Sequence, residues 1–132
     1  MTQSISNSNA PYRHLIMIMK IEKERSIVLK RTIPSIDDIK LEIGKICKDS
    51  SIRRVWVFGS YARNEADLDS DLDLIVDLDN ALEIERFDTV LGMDVDILTL
   101  KSYDSKRQSD LRFNKKFVER VDRERILVYE KY

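Results

Sequence analysis

The sequence predicts a mixed fold of α-helices and β-strands in one compact domain, and three observations support this prediction. Short apolar runs of strand length occur at residues 55–58, 74–76 and 95–100. Around these runs, apolar residues recur at the three- and four-residue spacing of amphipathic helices. The chain has 132 residues, 42% of them hydrophobic, which is enough to bury a core without disulfides or a structural metal.

The chain divides by composition into three parts. Residues 1–14 are rich in Ser, Asn and Gln without an apolar period, and we expect a disordered tail there. Residues 15–33 mix apolar and charged side chains, a pattern that fits either a helix or an extended arm, so this extension keeps both alternatives. Residues 34–132 are predicted to form the folded domain.

The first helix of the domain has a clear start signal. Pro34 and Ser35 precede it, and Asp37 and Asp38 fall in its first turn, where the helix dipole favours acids. The residues predicted to form its buried face are Ile36, Ile39, Ile43, Ile46 and Cys47. A strand at residues 55–58 follows, and a polar loop with a short helical turn at residues 61–67 leads to the next strand.

The second half of the domain is predicted to alternate helices with two more strands. Asn80 is expected to cap a helix that Gly92 stops, and the third strand, at residues 95–100, follows. A long helix is predicted at residues 105–122, and a short strand at residues 125–129. The positions expected to face inward on the two helices are Leu82, Ile84, Phe87, Val90 and Leu91, and then Leu111, Phe117, Val118 and Val121.

Two aspartates at the start of the second strand are candidate metal ligands. Successive side chains of a strand point to opposite faces, so Asp71 and Asp73 share one face. Two adjacent carboxylates repel each other unless a cation neutralises them. Because Mg²⁺ prefers oxygen ligands and is commonly bound by one or two carboxylates plus substrate phosphates, this pair predicts a magnesium site.

The turn after the first strand is a candidate phosphate site. Gly59 lets the backbone approach a ligand closely, and Ser60 offers a hydroxyl together with the backbone N–H groups of the turn. Arg63 is placed to reach back to phosphate oxygens with a bidentate fork.

These residues carry a family resemblance. The spacing Gly-Ser, ten residues, Asp-x-Asp resembles the signature of the minimal nucleotidyltransferases of the polymerase β-like superfamily, and Gly59, Ser60, Asp71 and Asp73 fit it without a gap. The resemblance implies that fold, with a small mixed sheet and helices mainly on one face. It also implies a third metal carboxylate on the next strand, for which Asp96 is the better match. The neighbouring Asp94 is expected to lie beside the ligands without binding the metal.

One position of the loop departs from the family pattern. The loop of the family usually reads Ala-Arg-Gly, whereas this chain has Asn64 after Ala62 and Arg63. Asn is one of the few residues besides Gly that tolerate a left-handed backbone conformation, so the loop is expected to keep its shape.

The resemblance implies a specific enzymatic role. Asp71, Asp73 and Asp96 would bind two Mg²⁺ ions, and Gly59, Ser60 and Arg63 would hold the nucleotide, with ATP as the substrate. Family members of this size are typically antitoxins paired with a HEPN-type ribonuclease toxin, and some transfer AMP to a toxin tyrosine. Since little chain follows the third aspartate, we expect the acceptor to arrive on such a partner. The alternatives are an antitoxin that acts by binding alone and a nucleic-acid tailing enzyme.

Composition narrows the function classes. A net charge of −1 lacks the strong basic bias of a general nucleic-acid binder, which makes a nucleic-acid partner unlikely. Of the 24 acids, 12 lie within residues 65–96, where Arg86 is the one opposing base, so an acidic centre stands between basic flanks. Such a centre suits a metal site with phosphate- or partner-binding edges.

The chain has a single cysteine and a single histidine, which argues against disulfides, cysteine zinc sites and histidine-dependent catalysis. Cys47 alone can form neither an internal disulfide nor a cysteine zinc site, and it fits a reducing cytosol. His14 is the one histidine, and its place in the tail argues against Ser-His-Asp or Cys-His catalysis. The longest uncharged apolar run, residues 15–19, is too short to cross a bilayer. We therefore predict a cytoplasmic protein with no membrane partner.

Overall fold

The computed structural model describes residues 32–131, so the predicted tail and nearly all of the extension at residues 15–33 lie outside the described part. In chain order the elements are α1 (Ile36–Cys47), β1 (Arg54–Phe58), β2 (Leu72–Asp77), a 3₁₀ helix (Ala81–Glu85), α2 (Arg86–Leu91), β3 (Val95–Thr99), α3 (Leu100–Gln108), α4 (Arg112–Glu124) and β4 (Ile126–Glu130). Among these described helices, none has the length and apolar content that crossing a bilayer requires.

The four strands form one mixed sheet in the order β3-β2-β1-β4. β1 is antiparallel to both of its neighbours, β2 and β4, whereas β2 and β3 are parallel. The parallel pair is joined through the 3₁₀ helix and α2, as parallel strands require a crossover connection. The predicted mixed fold is therefore confirmed.

The start of α1 and the end of α2 were both predicted, and both follow from local capping. The Ser35 hydroxyl accepts a hydrogen bond from the Asp38 N–H at 3.1 Å, and the Asp38 carboxylate accepts one from the Ser35 N–H at 3.2 Å. This reciprocal pair satisfies two N–H groups that a helix start would leave open. At the C-terminal end of α2, Gly92 adopts φ +64° and ends the helix, as predicted.

Alternation along the strands divides the core into two clusters on opposite faces of the sheet. The larger cluster joins Val55 and Val57 of β1 to the apolar faces of α1 and α2. The smaller cluster joins Phe58 and Ile75 to Tyr103 of α3 and to the apolar residues of α4. Helices therefore pack on both faces of the sheet. On the face of the smaller cluster, α3 and α4 cover part of the sheet, and the candidate site lies beside them at the beginning of β2.

The prediction of one long helix at residues 105–122 is wrong. A first helix, α3, begins five residues earlier than expected and ends at Gln108. At the break, Ser109 is extended and its hydroxyl accepts a hydrogen bond from the Leu111 N–H at 3.0 Å. A Ser side chain that bonds nearby backbone competes with helix continuation, and α4 starts only at Arg112.

Two leucines predicted to face inward are exposed. Leu111 precedes α4 and is 53% exposed, because the helix on which it was placed is interrupted there. Leu82 is 72% exposed, because the segment after Asn80 is a 3₁₀ turn and not yet the α-helix that was expected. Asn80 does cap this turn, since its side-chain oxygen accepts from the Leu82 N–H at 3.0 Å.

Candidate active site

The backbone of the turn after β1 lies against Asp73 of β2. Gly59 has φ +77°, a conformation that side chains rarely adopt. A Cβ atom at this position would lie 2.1 Å from Oδ2 of Asp73 and 3.1 Å from its Cγ. Only glycine therefore fits, and the Gly-Ser turn and the Asp73 carboxylate are in direct contact.

The rest of the loop is closed by its own backbone. The Arg63 N–H bonds to the Gly59 carbonyl at 3.1 Å, and the Glu65 N–H bonds to the Ser60 carbonyl at 2.8 Å. Asn64 adopts φ +60°, which confirms the expectation that it takes a left-handed conformation here. The departure from glycine at this loop position thus leaves the turn intact.

The predicted metal ligands come together at the start of the parallel strand pair. Asp73 of β2 stands opposite Asp96 of β3 in the register of the sheet, and Asp71 directly precedes β2. Asp73 shares its strand face with Ile75 of the smaller core cluster. The acids therefore lie on the α3 and α4 side of the sheet, at the end that these helices leave uncovered.

The electrostatics of the acids confirm how close they are to one another. Loss of solvation, followed by the Asp96 and Asp71 carboxylates, raises the pKa of Asp73 to about 6. The pKa of Asp71 is raised in turn by loss of solvation and then by Asp96 and Asp94. Asp94 is thus close enough for its charge to act on Asp71, and its backbone carbonyl accepts a hydrogen bond from the Leu72 N–H at 3.0 Å.

The fit of this acidic group to a cation can be judged from its donors. Carboxylate oxygens are the ligands that Mg²⁺ prefers, and a cation would relieve the repulsion that raises the pKa of Asp73. The donor chemistry therefore fits. Within residues 32–131, however, no three acidic, histidine or cysteine side chains are spaced so that they could hold a metal ion. The ligand set of Asp71, Asp73 and Asp96 stays a prediction.

Arg63 is held by two carboxylates. Its Nε donates to Oε1 of Glu65 at 3.0 Å, and its Nη1 donates to Oε1 of Glu124 at 2.9 Å. These two hydrogen bonds, that to Glu65 first, raise the pKa of the guanidinium. The positive charge of Arg63 also acts on Asp73, whose pKa it lowers, so the arginine belongs to the same site as the acids.

Glu124 is a site residue that the sequence did not reveal. It is the last residue of α4, and its side chain is 9% exposed. Its Oε2 accepts a hydrogen bond from the Gly59 N–H at 2.7 Å, across 65 positions of the chain. In the sequence it is one of several acids in a strongly charged helix, and nothing in its local pattern sets it apart.

Comparison with known proteins finds similarity to nucleotidyltransferases. Residues 42–132 match the family model described as polymerase beta, nucleotidyltransferase. The chain is 37% identical to MJ1379 of Methanocaldococcus jannaschii, named as a candidate protein adenylyltransferase, over 54% of this chain and 82% of that protein. It is 38% identical to protein adenylyltransferase MntA of Thermococcus cleftensis, over 41% of this chain and 62% of that one.

A solved structure extends the comparison to the fold. A chain described as a candidate minimal nucleotidyltransferase superposes with a TM-score of 0.50 and 30% identity. The match covers 73% of the present chain and 98% of the other.

Proposed function

This chain belongs to the polymerase β nucleotidyltransferase family, and from that premise we propose that it transfers AMP from ATP to a tyrosine hydroxyl of a HEPN-type ribonuclease toxin. The transfer would neutralise the toxin, which makes the chain the antitoxin of the pair. The names of its relatives support a protein as the acceptor. The family resemblance supports the toxin as partner, and a chain whose single cysteine, Cys47, is buried supports the cytoplasm as location.

One observation carries the proposal: three groups lie next to one another, namely the Gly59 turn, the Arg63 guanidinium and the acids of β2 and β3. Asp73 contacts the turn at Gly59 and stands opposite Asp96. The residues proposed to bind phosphate and those proposed to bind metal are thus neighbours, which supports transfer of a nucleotide from a metal-bound triphosphate.

Each residue of the site has a proposed part in the reaction. Ser60 and Arg63 would bind the β- and γ-phosphates, since a guanidinium fork matches phosphate oxygens. Asp71, Asp73 and Asp96 would hold two Mg²⁺ ions. When bound, the ions supply charge neutralisation for the triphosphate and activation of the acceptor hydroxyl.

The transfer itself exchanges one bond to phosphorus for another. The acceptor oxygen bonds to the α-phosphorus as the bond from that atom to the bridging oxygen of the β-phosphate breaks. Pyrophosphate leaves with that oxygen, and we assign Asp96 the role of accepting the proton of the acceptor hydroxyl. Arg63 and the Gly59 turn hold the leaving group in line while the bond breaks.

A label-transfer experiment tests the proposal. The chain is incubated with its HEPN-type partner, Mg²⁺ and ATP labelled at the α-phosphate, and compared with the double variant Asp71→Asn/Asp73→Asn. We expect label on a partner tyrosine with the wild type and none with the variant. Asp79→Asn is the matched control, because this acid is exposed and pairs with Arg53 at 2.9 Å, away from the site.

The second candidate is an antitoxin that acts by binding alone. It is favoured by one observation, namely that Arg63 is already paired with Glu65 and Glu124. A stable complex that carries no label from any nucleotide, and in which the double variant still neutralises the toxin, would establish this alternative and refute the enzymatic proposal. Label on free RNA would point instead to a tailing enzyme.

A further inference from the structure

Glu124 connects the two parts of the phosphate site. Its carboxylate accepts from the Gly59 N–H with one oxygen and from Nη1 of Arg63 with the other, at 2.7 and 2.9 Å. Its side chain is 9% exposed, whereas that of Arg63 is 38% exposed. A buried carboxylate with a partner on each oxygen is fixed in position, and it fixes both of its partners in turn.

The direction of the Gly59 N–H decides what this contact does. β1 has β2 on one side, where Phe58 stands opposite Asp73, and β4 on the other, where Val57 stands opposite Ile126. The Gly59 N–H points to Glu124, at the end of α4 just before β4. This amide is therefore already used by Glu124, and the proposed nucleotide contacts of Ser60 and Arg63 do not require it.

The contact to Arg63 leaves part of the guanidinium for a ligand. Nε is occupied by Glu65 and Nη1 by Glu124, whereas Nη2 makes neither of these bonds. Arg has five N–H donors in a rigid plane, so bonds on two of its nitrogens set the direction of the remaining one. The guanidinium is thus oriented before any phosphate arrives.

We propose that Glu124 is a positioning residue for the triphosphate: it orients Arg63 and braces the Gly59 turn without touching the nucleotide. The inference rests on the proposed nucleotidyl transfer and adds to it a residue from the C-terminal end of α4. The reverse role, in which Glu124 competes with the triphosphate for Arg63, would have the opposite effect on affinity.

Nucleotide titrations of variants separate these roles. Glu124→Gln keeps an acceptor for the Gly59 N–H but removes the charge that holds Arg63. We expect the Kd and the KM for ATP to rise about tenfold, the effect of weakening one charge-assisted hydrogen bond, while kcat changes less than about twofold. Asp122→Asn is the matched control on the same helix, because Asp122 pairs with Arg107 outside the site.

A double-mutant cycle tests whether Glu124 acts through Arg63. In an Arg63→Ala background, Glu124→Gln should cause no further loss of affinity. The ¹H–¹⁵N signal of the Arg63 Nε–H, recorded without nucleotide, should shift in Glu124→Gln and not in Asp122→Asn.

Four results would overturn the inference: unchanged or tighter ATP binding in Glu124→Gln, equal losses in the two backgrounds, or an unchanged Arg63 signal. If the wild type binds no nucleotide at all, the proposed function fails as well. A wild type that binds ATP beside a Glu124→Gln variant of equal affinity removes the positioning role alone.

Discussion

Replacing Gly59 by alanine should damage both stability and catalysis. The new Cβ would lie 2.1 Å from Oδ2 of Asp73, and the residue would keep φ near +77°. A left-handed alanine costs about 1–2 kcal/mol, and turning Asp73 off its rotamer adds about 1 kcal/mol. We expect the unfolding free energy to fall by about 2–3 kcal/mol and Tm by roughly 7–11 °C.

The control is the same substitution at Gly44 in the last turn of α1. A Cβ there meets no atom within 4 Å, and the helix gains about 0.5–1 kcal/mol when its glycine becomes alanine. Both changes restrict the unfolded chain equally, so the difference between them comes from the native state. Denaturant unfolding followed by circular dichroism measures it.

Catalysis should fall further than stability explains. A displacement of a reacting group by about 1 Å costs on the order of 10²-fold in rate, so label transfer should drop by that factor in folded Gly59→Ala. A Gly59→Ala protein with wild-type stability and activity would refute the claim that this contact shapes the site. A Gly44→Ala protein that loses as much stability would refute it too.

Three further predictions follow from side-chain contacts. Asn64→Val should lose about 1–2 kcal/mol in denaturant unfolding, whereas Asn64→Gly should not, because φ +60° penalises a β-branched side chain. Asp77→Asn should lose about 1–3 kcal/mol, since the buried Asp77 carboxylate accepts charged hydrogen bonds from Arg54 at 2.8 and 3.2 Å; unchanged stability would contradict this. The Arg107 hydrogen bond lowers the pKa of Asp122 to about 2, so this acid stabilises the fold above its unfolded pKa of 3.8 and loses that effect as pH falls towards 2. Unfolding curves from pH 5 to pH 2 should show this loss in the wild type and not in Asp122→Asn.

Local signals made the framework of the fold predictable. Ser35 caps α1 and Gly92 ends α2 through contacts with residues no more than four positions away, so the sequence alone contains the information. The apolar runs of the strands and the left-handed conformation of Asn64 were likewise predictable from local sequence. The break at Ser109 is also local, but the apolar spacing on both sides of it imitates one continuous helix.

Long-range contacts account for what the sequence could not predict. The meeting of the Gly59 turn with Asp73 was expected because a family spacing encodes it. Glu124 has no such signal, since its partners lie 61 and 65 positions away and its neighbours are ordinary surface charges. The packing of α4 on the sheet and the pairing of β4 with β1 bring this carboxylate to the turn.

That pairing determines when the site can form as the protein is synthesised. β1, β2 and β3 leave the ribosome before β4, so the turn and the acids exist while one edge of β1 is still unpaired. An unpaired strand edge is a template for other chains. When β4 arrives, the same event covers that edge and brings Glu124 to Gly59 and Arg63. The covering of that edge and the arrival of Glu124 at the Gly59 turn therefore belong to the same late step of folding.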